Sequence, residues 1–180
     1  MTYIIKILSL ILLVISVQGC LVFNTVSYEV NMNDDNSGTV NLHVNDIKSD
    51  ALNVSELEED KNQLFTFILK SDDFVNQMKD EGKIITDRKL YESNGKLNGN
   101  LSYDFNDIST VEGIQYQDPY YFLTLSLEDS VVSTNGEIIF SEGLKRIMWD
   151  NSMKLLKFEM FSAEVENGSL VDLTKYLDEK

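Results

Sequence analysis

Residues 83–105 read KIITDRKLYESNGKLNGNLSYDF. In the second half, Leu97, Gly99, Leu101, Tyr103 and Phe105 alternate with Asn98, Asn100, Ser102 and Asp104. Such a period of two gives an extended chain one apolar side and one polar side. In the first half, Ile84-Ile85-Thr86 leads to Leu90-Tyr91-Glu92. Between the halves stands Ser93-Asn94-Gly95-Lys96, and Asn-Gly accepts positive φ at both central positions of a tight turn. The stretch predicts an antiparallel hairpin, and the rest of the chain repeats its grammar.

Moving back toward the N-terminus, residues 46–54 read as a connection and 55–82 as helix. Ser55-x-x-Glu58 has the capping-box pattern that satisfies free amides at a helix start. Leu64, Phe65, Ile68, Leu69, Val75 and Met78 recur at helical spacing. Ser71-Asp72-Asp73 can begin a second helix, and residues 64–69 are apolar enough for a strand as well. Ahead of this region, Val26, Tyr28, Val30 and Met32 alternate with polar residues, as do Val40, Leu42 and Val44. Asp34-Asp35-Asn36-Ser37-Gly38 between them is a turn. His43, the single histidine, falls on the polar, exposed side of this hairpin.

Moving forward, residues 107–114 read as a short helix or loop. Pro119 suits the start of a strand rather than its middle. Tyr121, Leu123, Leu125 and Leu127 alternate next. Val131-Val132, a turn at Ser133-Thr134-Asn135-Gly136, Ile138-Ile139-Phe140, Arg146 to Trp149, and Leu156 to Met160 complete a run of strands. Leu170, Val171, Leu173, Tyr176 and Leu177 suit a short C-terminal helix, or else the end is an acidic tail. The order predicts an α+β fold, with one main helical region packed on a twisted antiparallel sheet.

The chain begins MTYIIKILSLILLVISVQGC. Lys6 precedes an apolar run, Ile7 to Val17, which ends at Val17-Gln18-Gly19-Cys20. A positive region, a short apolar core and small residues before a cleavage point are the parts of a secretory signal. The run is too short to span a bilayer, which takes ~20 apolar residues. Cys20 is the one cysteine of the chain, directly after the small residue. The stretch resembles the bacterial lipoprotein signal. That resemblance implies cleavage before Cys20, a diacylglyceryl group on its sulfur and acylation of the new N-terminus. Two or more chains hold a protein stably on a membrane where one does not.

The resulting organisation is a signal peptide at 1–19, a short lipidated tether at 20–25, a domain at 26–165 and an acidic C-terminal tail at 166–180. The whole chain carries a net charge of −15. Loss of the signal removes Lys6 alone among charged residues and leaves about −16. Such a chain is repelled by nucleic acid and by anionic headgroups. Attachment to a membrane then depends on Cys20, and no disulfide is available to the fold.

A second resemblance covers roughly Val26 to Ala163. KIITDRKLYESNGKLNGNLSYDFNDIS (83–109), SLEDSVVSTNGEIIF (126–140) and RIMWD (146–150) resemble the LppM-type domain of bacterial envelope lipoproteins. The chain departs from that pattern in lacking a later transmembrane helix. The resemblance implies an envelope protein, with lipid or glycolipid contact suggested for some members, and it brings no catalytic residues.

One histidine excludes the usual metal and triad arrangements. No glycine-rich phosphate loop occurs, and no metal or cofactor is expected. Tyr116, Tyr120 and Trp149 are the candidate ligand-contacting aromatics; the competing expectation puts Tyr121 and Trp149 in the core. The sequence thus predicts a non-enzymatic, membrane-anchored envelope lipoprotein with a binding or scaffolding domain, for lipid or another envelope protein. One alternative is a partner-binding subunit that uses an exposed strand edge. Another is a glycan hydrolase built on two facing carboxylates. Leu21, not Asp, follows Cys20, so the inner-membrane retention signal of enteric bacteria is missing. The expected place is the periplasmic face of the outer membrane, or the outer leaflet of a single membrane.

Overall fold

The structure, a computed structural model, describes residues 21–141, 143–161 and 170–178. The signal peptide and Cys20 lie outside the described residues. The fold is antiparallel sheet with a helical region, as the alternation and the 3.6-residue spacing require.

The 83–105 stretch forms the predicted hairpin. Strands β5 (Lys83–Ser93) and β6 (Lys96–Phe105) pair from Ser93↔Lys96 to Lys83↔Phe105. Asn94 and Gly95 close it at φ 54° and 72°, the two positive values that a right-twisted hairpin needs. The first hairpin joins β2 (Thr25–Met32) to β3 (Gly38–Asn45), with Asn36 at φ 63° in its turn. Adding β9 (Val131–Thr134) and β12 (Leu155–Phe161) gives a six-stranded sheet of order β5-β6-β3-β2-β12-β9.

The expectation of a single sheet needs correction. Strands β7 (Gln115–Gln117), β8 (Tyr120–Ser126), β10 (Glu137–Ser141) and β11 (Leu144–Asp150) form a second sheet, ordered β10-β11-β8-β7. The turn at Asn135-Gly136 is not a hairpin. It carries the chain from the edge of one sheet to the edge of the other. Alternation states which side of a strand is apolar but not which sheet the strand joins. Here Tyr121, Leu123, Leu125, Ile147 and Trp149 face Tyr28, Val30, Tyr103, Phe105, Leu156 and Phe158 in one buried core. The Trp149 and Phe158 rings meet across the two sheets at 5.9 Å. Each such side chain, fully buried, stabilises by roughly 1.5–3 kcal/mol.

The remaining apolar surface of the six-stranded sheet is covered by the helical region and a small third sheet. Helix α1 (Val54–Lys61) runs into a π-helical stretch, Asn62–Ile68, and α2 (Asp72–Asp80) follows. Ser71 does begin a second helix, its Oγ accepting from the Asp73 amide at 3.0 Å. The first cap lies two residues earlier than predicted. Asn53 Oδ1 accepts from the Glu56 amide at 3.0 Å and Asn53 Nδ2 donates to Glu56 Oε1 at 2.7 Å. An Asn-x-x-Glu box therefore outcompetes the Ser55-x-x-Glu58 reading.

Strands β1 (Leu21–Val22), β4 (Lys48–Ser49) and β13 (Val171–Asp172) make the third sheet, with β4 central. Residues 21–25, read as tether, therefore belong to the fold. So does the chain from Leu170: Leu173 is fully buried, and Thr174–Tyr176 forms a 3₁₀ turn rather than an amphipathic helix. A second core gathers Ile47, Leu64, Leu97 and Leu173, with Leu21, Phe23, Leu57, Tyr176 and Leu177 packed on it. Both ends of the described chain are pinned by this small core.

Candidate functional site

The three candidate aromatics take three different places. Trp149 is 1% exposed, and its Nε1 donates to Asn135 Oδ1 at 2.9 Å. It is a core residue and contacts no ligand surface, which corrects its candidacy. Asn135 does more than receive that indole. Its Oδ1 also accepts from the Lys157 amide at 2.7 Å, and its Nδ2 donates to Leu155 O at 2.8 Å. Beside it, a Cβ on Gly136 would lie 2.6 Å from Trp149 Nε1, so only glycine fits the crossing between sheets.

Tyr116 is exposed but committed. Its ring packs on Tyr121 at 5.0 Å, and its hydroxyl donates to Asp118 Oδ1 at 3.0 Å. Tyr120 is 42% exposed and lines a shallow cleft of about 320 Å³. Asn135, Gly136, Glu137, Ile139, Met148, Asp150 and Met153 complete the lining. The cleft lies on the outer face of the four-stranded sheet, where register sets Glu137 opposite Met148 and Tyr120 opposite Asp150. Its character is mixed: one aromatic ring, apolar Ile139 and Met148, and two carboxylates. Asp150 is held below the usual carboxylate range because the Ser152 side chain, and then the Ser152 backbone, hydrogen-bond to it. A carboxylate stabilised in its charged form suits a cation and is a poor proton donor.

The cleft continues into β10. Among the described residues, β10 pairs with β11 on one side and with nothing on the other. All five of its residues are exposed, Phe140 by 70%. Ile138 and Ile139 add apolar surface on both sides of the strand, and Leu144 borders them. The sequence signal for this site was the run Ile138-Ile139-Phe140. It reads as one more strand, because a continuous apolar run is the pattern of a strand buried on both faces.

His43 is half-buried rather than exposed. Asn100 Oδ1 accepts from its Nδ1 at 2.7 Å, and Tyr91 lies alongside. Neighbours on the adjoining strands close over it. The acidic 34–36 turn is likewise occupied by protein. Asp34 pairs with Lys154 at 2.6 Å, Asp35 accepts from Ser37, and Asn36 Oδ1 accepts from the Tyr121 hydroxyl at 2.6 Å. No three His, Cys, Asp or Glu side chains converge on a metal-sized point among the described residues.

A separate ionisable cluster sits inside the sandwich. Glu112, at φ 50°, turns its carboxyl inward to the Tyr28 hydroxyl. Its Oε1 and the Tyr103 hydroxyl are buried without hydrogen-bond partners among the described residues. Burial raises the Glu112 carboxyl above its ordinary range, and the charge of Lys83 partly offsets this. Lys83 is itself buried and pairs with Glu81 at 3.2 Å.

No protein-family model, curated protein or solved structure matches the chain. The resemblance to LppM-type domains therefore rests on the quoted motifs alone.

Proposed function

We propose that this protein is a bacterial envelope lipoprotein, held by acylated Cys20, whose non-catalytic domain binds an extended segment of another envelope protein along β10. The observation that carries the binding reading is the apolar edge of β10, unpaired among the described residues. A strand added there gains main-chain hydrogen bonds, and its side chains fall alternately on the two faces. On the outer face one of them reaches the cleft, where Glu137, Asp150 and the Tyr120 ring suit a lysine or arginine. The packed core supports this over storage of a lipid inside the domain. The LppM-like description of the α+β domain belongs to the same proposal. So does the location, the periplasmic face of an outer membrane or the outer leaflet of a single one.

The hydrolase reading gains one observation, the two carboxylates of the cleft. Such chemistry needs one carboxyl raised to act as the acid. Asp150 is shifted the opposite way, and Glu112, which is raised, does not line the cleft.

Two measurements test the proposal. Cys20→Ala is expected to release the protein from the membrane fraction or to accumulate it uncleaved. Unchanged mature size and partitioning refute the anchor. A photo-crosslinking residue at Phe140 is expected to give one adduct of defined mass, abolished by Ile139→Lys, while the same probe at Lys89 gives none. A smear of adducts that ignores Ile139→Lys refutes the binding edge.

A further inference from the structure

The register of the third sheet fixes what surrounds the point where the chain enters the fold. Leu21 and Val171 pair with Ser49 from its two sides. The antiparallel pairing sets Leu21, the residue that follows Cys20 in sequence, beside the end of β4 that leads into Asp50. The segment that follows, Ala51-Leu52-Asn53-Val54, begins at that same end of the sheet.

This segment holds the two most exposed large apolar side chains of the described residues, Leu52 at 84% and Val54 at 76%. Leu170, the residue before Val171, is also exposed. The exposure of Leu52 breaks a local rule. The residue before an N-cap ordinarily packs on the fourth helical residue as a hydrophobic staple. With Asn53 as cap that partner is Leu57, which packs on the second core while Leu52 points away. A side chain that declines a ready intramolecular partner is available to an external one.

We propose that Leu52 and Val54 form a membrane-dipping tip, inserted in the bilayer interface beside the acyl chains of Cys20. The inference rests on the lipoprotein reading and adds an orientation to it. The anchor supplies the affinity, and the tip fixes which face meets the lipid, since interfacial binding grows with the apolar area inserted. The surrounding carboxylates, Asp50 and Glu56, suit a zwitterionic surface over an anionic one. The domain then stands with its third sheet on the membrane. The turn between β2 and β3 points away, because Thr39 lies six residues along β3 from Asn45, about 20 Å.

The test uses the acylated full chain, purified from membranes and placed in phosphatidylcholine vesicles that contain a headgroup spin-labelled phosphatidylcholine. Leu52→Cys carries an environment-sensitive fluorophore, Thr39→Cys is the control, and intact mass reports acylation. The expected result is an acylated protein whose probe at 52 shifts to the blue and is quenched at least twofold, with no change at 39. An acylated protein with a water-like probe at 52 overturns the tip and leaves the anchor standing. An unacylated protein overturns the anchor, and the tip with it. A probe at 52 that is blue-shifted in the vesicles but not quenched by the spin-labelled headgroup means that a second copy covers the tip, which also overturns the proposal.

Discussion

The strands β5 and β10 end their respective sheets, and they treat an open edge in opposite ways. Along β5 the register shifts between Ile85 and Asp87, a bulge that interrupts the ladder. Lys83, Asp87, Arg88, Lys89 and Glu92 spread charge along the strand, and α2 packs against it. Bulges, charges and covering helices are the devices that keep a strand edge from pairing with another chain. β10 has neither bulge nor covering helix among the described residues. Its five residues pair with β11 without a register shift, and Glu137 is its one charged side chain. The same molecule that guards eleven residues of β5 leaves five of β10 open among the described residues, and the proposed binding edge rests on this difference.

The sharpest test of that difference is stability. Arg88 Nη1 donates to Ile68 O at 2.8 Å and to Ser71 O at 2.9 Å. It thereby satisfies carbonyls at the junction of the two helical segments, Ile68 at the end of the first and Ser71 at the cap of the second, and ties β5 to the helices. Hydrogen bonds from a charged group contribute about 1.5–3 kcal/mol, so Arg88→Ala is expected to lose about 2–3 kcal/mol in urea unfolding. Phe140→Ala on β10 should stay within about 0.5 kcal/mol of wild type, as surface changes do. An equal loss from both would make β10 a structural strand and end the comparison.

The next largest effect belongs to the crossing that delivers β10 to its sheet. Asn135→Ala leaves the buried Trp149 indole N–H and the Lys157 amide without their acceptor. A buried donor left unsatisfied costs about 1–3 kcal/mol, and a loss of about 2 kcal/mol is expected. Hydrogen exchange should rise in both β9 and β10, because the two strands meet at this residue. Protection unchanged in either would show that the crossing is held by other contacts.

Glu112 gives a smaller effect with a defined pH dependence. Its carboxyl is raised by burial, so the folded state binds its proton more tightly than the unfolded chain does. Stability from this group is present below the ordinary carboxylate range. It falls as pH rises toward the raised folded value, and above that value the penalty of a buried charge remains in full. Glu112→Gln carries no such penalty. Its melting temperature should match wild type at acid pH, below the ordinary carboxylate range, and exceed it increasingly as pH rises, by thermal unfolding across a pH series. A gain that does not depend on pH would assign the effect to packing instead.

These tests also separate what was legible in the sequence from what was not. The 83–105 hairpin was readable because Asn94-Gly95 is local chemistry, and so was the second helix start at Ser71. The sandwich was not readable, since nothing local distinguishes Asn135-Gly136 as a crossing from Asn94-Gly95 as a hairpin. The difference lies in distant residues, the indole of Trp149 and the backbone of Lys157. The third sheet was missed because two-residue strands leave no periodic trace. For the site, Tyr116 and Tyr120, read as candidate ligand-contacting aromatics, are exposed. Trp149, grouped with them, is core. The β10 edge was hidden, because Ile138-Ile139-Phe140 spells a buried strand and only the strand order shows it open.

The smallest expected change in stability carries the functional weight. Ile139→Lys places a charge on the outer face of β10 beside Glu137, with Arg146 directly opposite in register. Stability should move by less than about 0.5 kcal/mol, since the side chain is already solvated and β11 still pairs with the strand. An added strand, in contrast, would lay its own side chains against position 139, and a lysine there obstructs apolar contact and repels the basic residue expected in the cleft. Binding measured through the Phe140 crosslink should fall at least tenfold, while Lys89→Ile, which removes a charge from the guarded edge, should create no new adduct. If Lys89→Ile does create one, charge alone was closing β5, and the bulge and helix contribute less than the comparison assigns to them.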